Sequence, residues 1–229
     1  MLRFFVCERI IVHKNMQKEI KENSVVTKYE IPSVREIMSL NPSHDKRYIR
    51  DLESLKTVVK NLQSAGYRVV LTQGVWDLIH EGHAKYLDES KKKGDVLIVA
   101  VDSDEITRAR KGPNRPVVPE DERLRMLTFL RSVTLVYLRE FDLHMKDPAY
   151  LHKAIRPDVF VTSQTTKDIS EEDRKDMEQY VGKLVVFEPQ AATSSTARIR
   201  LLMVDGAEEL SKQVSFAITN FLAKMRDND

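Results

Sequence analysis

Residues 74–83 read GVWDLIHEGH and place His80 and His83 three apart, on either side of Glu81-Gly82. An apolar, β-branched run precedes them and a helical pattern follows, so both histidines fall near the start of a helix. A helix start offers free N–H groups and the positive end of the helix dipole, which together favour an anion. Gly82 has no side chain to hold a phosphate away from the backbone, and Gly74 allows the chain to turn sharply after the strand. The stretch therefore reads as a place for a polyphosphate. No GxxxxGK[ST] pattern occurs anywhere, so there is no P-loop lysine and other cations must neutralise the phosphates. Two later segments supply them. ARKGPNRPVVPEDER (109–123) carries Arg110, Lys111 and Arg115. TSSTARIR (193–200) sets Ser195 and Thr196 ahead of a helix start, with Arg198 and Arg200 close behind.

Plainer readings compete for the same residues. A histidine pair can hold zinc, but zinc wants a third and a fourth ligand. Cys7 is remote in sequence, and His144 and His152 have no ligand-like spacing, so no protein-held metal is expected. Asp77 serves equally well as a structural cap or as a ligand contact. Trp76 fits packing, and Lys91, Lys92 and Lys93 fit a solvated helix end favoured by the dipole. The acids of PEDER fit a helix start, with Arg123 still able to reach a nucleotide.

The elements that must position these groups alternate along the chain. Short apolar runs at YRVVLTQ (67–73), DVLIVAVDS (95–103), VTLVYL (133–138), PDVFVTS (157–163) and KLVVFEP (183–189) read as strands. Helical patterns separate them over 80–94, 103–110, 119–132, 148–155 and 170–182. Such alternation predicts an α/β, Rossmann-like, doubly wound parallel sheet of five strands with helices on both faces. Ligands then bind beyond the carboxyl ends of the strands, where GVWDLIHEGH lies. Ahead of this region, residues 1–66 read as a mostly helical extension. It has helical spacing at 33–40 and 45–66, a break at Asn41-Pro42-Ser43 and a stop at Gly66. Residues 67–204 form the expected main domain. A last helix over 207–226 lines Leu210, Val214, Ala217, Phe221, Leu222 and Met225 along one side.

Composition bounds the rest. The chain has 229 residues, of which 41% are hydrophobic, enough for a real core. A net charge of +2 argues against a surface built to coat nucleic acid. Cys7 is the only cysteine, which excludes an internal disulfide framework and favours a cytoplasmic setting. No apolar run approaches the ~20 residues that span a bilayer, and the start MLRFFVCERIIVH lacks the features of a signal peptide.

GVWDLIHEGH, RPVVPEDER and SSTARIR, in that order and each at a strand end, resemble the cytidylyltransferase-like nucleotidyltransferases. That family carries an HxGH motif after its first strand and an S-T-T/S-x-I motif after its last. The look is nearest to the nucleotidyl domain of ADP-heptose synthases, with glycerol-phosphate and ethanolamine-phosphate cytidylyltransferases similar in the same segments. The likeness spans roughly residues 68–200. Class I aminoacyl-tRNA synthetases share a histidine pair of this kind, but they are much longer and carry a KMSKS loop that is absent here.

The resemblance implies attack of a phosphate monoester on the α-phosphate of CTP or ATP, with Mg²⁺ accompanying the triphosphate and pyrophosphate leaving. It implies catalytic roles for His80, His83, Lys111 and Arg198. Nucleotide contacts would come from Gly74, Val75, Trp76, Asp77, Gly82, Arg115, Arg123, Ser195 and Thr196. The partners implied are the nucleotide, a small phosphorylated acceptor and a second copy of the chain, with neither nucleic acid nor membrane. Three positions depart from the relatives. Thr134 stands where an Asp is common, TSQTTKD (162–168) lacks the glycines of a K-G-G-D-like stretch, and Ala197 replaces a threonine. The nucleotide half looks kept and the acceptor half changed. A non-catalytic relative that binds nucleotide and reports it to a partner is the alternative.

Overall fold

The computed structural model describes residues 30–39, 42–164, 170–188, 199, 204, 206–216 and 218. The chain divides into two units, residues 1–31 and 32–229. All the elements below belong to the second.

Six strands form one parallel sheet in the order β1-β4-β3-β2-β5-β6. They are β1 (Tyr48–Ile49), β2 (Val69–Gly74), β3 (Val96–Asp102), β4 (Leu135–Arg139), β5 (Val159–Ser163) and β6 (Lys183–Phe187). The chain runs outward from β2 through β3 to β4, then returns to lay β5 on the other side of β2. This reversal falls between β2 and β5, and the carboxyl ends of strands at such a point are the usual ligand position in these sheets. The segment that holds both histidines leaves β2 at that point.

The sheet has six strands where the sequence pattern predicts five. The helix expected over 45–66 is interrupted: α2 (His44–Arg47) ends at β1, and α3 (Leu52–Ser64) begins afresh. Tyr48 and Ile49 pair with Val136 and Tyr137 at the edge of the sheet. Ile49 is fully buried, and Asp51 caps α3 by accepting from the Ser54 amide at 2.8 Å. Tertiary pairing here overrides local helical spacing. Gly66 ends α3 with φ +85°, as the sequence implies.

Side chains alternate between the two faces of the sheet. One face carries Val69, Leu71, Ile98, Ala100, Leu135, Tyr137 and Phe160. It is covered by α1 (Val34–Ile37), by α3, by α8 (Tyr150–Ile155) and by Met177 of α9 (Glu171–Glu178), with α7 (Phe141–Lys146) at its margin. The other face carries Val70, Leu97, Val99, Val101, Val136, Val159 and Val161. Leu87 of α4 (Glu81–Lys91) and Leu124 and Leu127 of α6 (Glu120–Thr128) pack on it. Every residue of β3 is buried, as its unbroken apolar run predicts. Between β3 and α6 lies α5 (Asp104–Lys111). Among the described residues, no helix is long and apolar enough to cross a membrane.

Two glycines let backbones close up at the amino edge of the sheet. A Cβ added at Gly94 would lie 2.6 Å from the Arg68 carbonyl oxygen, and one at Gly182 would lie 2.6 Å from that of Asp158. Neither obstacle is a flexible side chain. Gly94→Ala is therefore expected to destabilise the fold by about 1–3 kcal/mol through overpacking, read as a lower midpoint in urea unfolding.

Candidate active site

The chain leaves β2 at Gly74, which still pairs with Val101 of β3. The left-handed residues of the turn are Trp76 (φ 59°) and Leu78 (φ 49°), so the turn assigned to Gly74 from sequence is made two and four residues later. Such a conformation costs a non-glycine residue about 1–3 kcal/mol and persists where its surroundings fix it. Trp76 is fixed in this way: its indole is buried, donates Nε1–H to the Ala100 carbonyl at 3.4 Å and meets the His83 ring edge-on at 5.6 Å. Packing is thus the visible work of Trp76, and what it packs against is His83.

His80 is the N-cap of α4. Its Nδ1 accepts the Gly82 amide at 3.1 Å, and its own amide points at His83 Nδ1 at 3.4 Å. The two rings stack with centroids 4.1 Å apart. Each Nδ1 faces a backbone donor, so in the neutral ring the proton resides on Nε2. The pair presents two Nε2–H donors. Burial, and then the charges of His80 and Lys111, lower the pKa of His83 to about 4. His83 is neutral at physiological pH, and Lys111, the last residue of α5, stands near enough to act on it electrostatically. The Gly82 amide is turned onto His80.

The loop between α5 and α6 is held against this turn by one buried carboxylate. Asp77 accepts the amides of Val117 at 3.0 Å and Val118 at 3.0 Å, and pairs with Arg115 at 2.9 Å. Arg123 lies beneath the same loop with its side chain 1% exposed. It donates to the carbonyls of Val118 at 2.9 Å and Val75, and pairs with Asp104 at 2.7 Å. The guanidinium is therefore engaged by protein acceptors, a positioning arrangement. Ser195, Thr196 and Arg198 lie outside the described residues.

A second charged group escapes sequence reasoning. Asp102, at the carboxyl end of β3, is fully buried and receives Arg139 and Arg110, each at 2.6 Å. Burial opposes its ionisation, but the two guanidinium groups outweigh that and hold its pKa below the ordinary carboxylate value. Arg139 also reaches His144 Nδ1 at 2.7 Å. The signal was present: an Asp and an Arg close two otherwise apolar strands. Thr134, at a departure from the family pattern, hydrogen-bonds the Leu97 amide through Oγ1 at 3.1 Å and so helps to seat β4 beside β3.

Among the described residues, no group of three or more His, Cys, Asp or Glu is placed to hold a metal ion. The buried carboxylates Asp77 and Asp102 already serve arginines.

A strand end with a histidine pair, a clamped basic loop and a parallel sheet can be compared with known proteins. The family model described as cytidylyltransferase-like matches residues 71–202, more than half of the chain. The chain belongs to the cytidylyltransferase-like family. Among its relatives, the bifunctional protein HldE of Desulfatibacillum aliphaticivorans is 35% identical over 151 residues, covering 66% of this chain and 30% of the relative. The HldE of Escherichia coli O1:K1 is 35% identical over 153 residues, covering 67% and 31%. This cytidylyltransferase-like chain thus spans about a third of the length of the curated relatives it matches. Among solved structures, the lipopolysaccharide core biosynthesis protein of Thermoplasma volcanium is 30% identical, with a TM-score of 0.46, covering 53% of this chain and 97% of its own.

The histidine geometry has a spectroscopic and a thermodynamic consequence. Long-range ¹⁵N–¹H correlation near pH 7 is expected to show the Nε2–H form for both rings, with His83 titrating near 4. His144 and His152 are likewise depressed, to about 4 and about 3, with burial the first cause in each. A histidine whose folded pKa lies below its unfolded value leaves the unfolded chain binding more protons between the two. Stability from these three groups is therefore present above about 6.5 and is lost as pH falls towards 4. Urea midpoints that stay constant from pH 7 to pH 4.5 would contradict this.

Proposed function

We propose that this chain transfers CMP or AMP from CTP or ATP to a small phosphorylated acceptor, a sugar phosphate or a phospho-alcohol, with release of pyrophosphate. The observation that carries the reading is the pair of Nε2–H donors at a helix start, beside Lys111 and at the reversal point of the sheet. An oxygen of the acceptor phosphate attacks the α-phosphorus, and the bond to the bridging oxygen of the pyrophosphate breaks. The nucleophile is already an anion, so no protein base is needed. Charge grows on the non-bridging and bridging oxygens, where His80 and His83 donate hydrogen bonds. Lys111 and Arg198 balance the leaving pyrophosphate, and Ser195 and Thr196 bind the nucleotide. Asp77 and Arg123 support the loop that carries Arg115. The work is placed in the cytoplasm.

Thermal-shift titration with CTP, ATP, GTP and UTP identifies the nucleotide, and pyrophosphate release with a panel of phosphorylated alcohols and sugars then reports turnover. His80→Ala and His83→Ala are each expected to lower kcat by roughly a hundredfold or more, the usual effect of losing one preorganised donor, with nucleotide affinity changing less. Nucleotide binding without pyrophosphate release from any acceptor would favour a non-catalytic nucleotide sensor, the reading that the altered acceptor segments keep in view.

We also propose a homodimer. Residues 206–216 are helical, and Leu210, Val214, Phe216 and Ile218 are exposed on the single chain. Ala217, Phe221, Leu222 and Met225 of the expected stripe lie outside the described residues. Exposed apolar groups of this size are a liability in a monomer, and a twofold contact covers such a patch with itself. Light scattering at micromolar concentration is expected to give about twice the chain mass; a clean monomer would sink the dimer.

A further inference from the structure

The transfer step leaves a buried ion cluster at the carboxyl edge of the sheet without a task. Asp102 is the last residue of β3 and is fully buried, and each of its carboxylate oxygens has its own guanidinium. Oδ1 accepts from Arg139 at 2.6 Å, and Oδ2 accepts from Arg110 at 2.6 Å. Arg139 lies beside Asp102 in the parallel register of β3 and β4, and its other terminal nitrogen reaches His144 Nδ1 at 2.7 Å. Two neighbouring strands therefore fix the carboxylate, and one of its oxygens is turned towards α5. Taking a partner from a buried carboxylate is costly, so the pairing with Arg110 is a strong local constraint.

α5 depends on such a constraint. At eight residues it is too short to be stable alone. Its first half is secured by the Ser103 cap, by the pair of Asp104 with Arg123 and by the buried side chains of Ile106 and Thr107. In its last turn Arg108, Ala109 and Lys111 are exposed, whereas Arg110 turns inward with its side chain 20% exposed. Gly112 then ends the helix with φ +93°. Successive side chains of a helix point about 100° apart. With the Arg110 side chain tied to the sheet, the direction in which Lys111 leaves the helix is set. Beyond Gly112 the chain is tied again, where Asp77 holds Arg115 and the amides of Val117 and Val118. Lys111 stands between these two anchors.

We infer that Asp102 is a positioning residue for Lys111: through Arg110 it fixes the last turn of α5 and so aims the lysine at the phosphates that leave as pyrophosphate. This deepens the transferase reading and rests on it for the role of Lys111. Arg110, a phosphate cation by sequence, is the link between the sheet and the helix end. The two residues carry opposite charges, so by charge alone their removal has opposite effects on an anionic ligand. By position, either removal releases Lys111, and both weaken binding.

Calorimetry on the full chain measures CTP, ATP, CMP and AMP with the natural chain and with Asp102→Asn, Arg110→Met and Lys111→Ala. Asp102→Asn and Arg110→Met are each expected to weaken the bound triphosphate about tenfold, the scale of one charge-assisted hydrogen bond, and to leave its monophosphate nearly unchanged. Added to Lys111→Ala, either is expected to cost little more, because the lysine it aims is gone. Tighter triphosphate binding by Asp102→Asn would overturn the proposal, as would equal losses for mono- and triphosphate or losses that add in full to that of Lys111→Ala. Hydrogen exchange supplies a readout that needs no nucleotide. The amides of Arg110, Lys111 and Gly112 are expected to exchange about tenfold faster in both variants, with those of α4 unchanged. Unaltered exchange in both would overturn the anchor whatever the calorimetry gives. If Asp102→Asn fails to fold, Arg110→Met decides by its exchange and by its cycle with Lys111→Ala. A natural chain that binds none of the nucleotides, while Arg110→Met loosens the end of α5, would defeat the transferase reading and leave the anchor standing.

Discussion

Asp77 and Arg123 form a charged clamp that joins three segments far apart in sequence. Asp77 takes two loop amides and Arg115, while Arg123 takes the carbonyls on either side of that contact and Asp104 at the start of α5. Both are almost wholly shielded from water. A buried charge without partners is costly, so each of these groups strongly constrains its neighbours. The segment after β2, the start of α5 and the loop before α6 must lie together if the clamp closes. Trp76 and Leu78, the two left-handed residues of the turn, flank Asp77 on either side.

The sequence makes local signals plain and distant ones obscure. His80 and His83, the apolar strands and the stop at Gly66 are properties of neighbouring residues, and periodicity or spacing exposes them. The partnership of Asp102 with Arg139 depends on which strand lies beside which, and in what register, and a single sequence does not disclose that. Tyr48–Ile49 sits inside helical spacing and becomes a strand only because β4 offers it an edge. Left-handed residues usually announce themselves as glycine; Trp76 and Leu78, which flank the clamped Asp77, do not, and Trp76 is held by its burial. Nothing local marks Arg123 for burial, since charged residues are normally exposed.

Fully buried charge, among the described residues, gathers at the carboxyl end of the sheet. Close backbone approaches at Gly94 and Gly182 tighten the amino edge. The carboxyl edge holds Asp77, Asp102, Arg123 and Arg139, with His83 and His144 kept neutral around them. Neutral imidazoles beside fixed cations give donors whose state does not follow small changes in pH.

Successive residues of β2 serve opposite sides of the sheet. Thr72 meets the Tyr86 hydroxyl of α4 at 2.8 Å, on the side of the histidine pair, and Gln73 turns to the side of Arg139 and His152. One peptide link thus separates two chemical compartments. Point substitutions can retune either compartment by itself, but a single-residue insertion or deletion in β2 would exchange their contents. Along this strand the spelling is open to revision while the letter count is fixed.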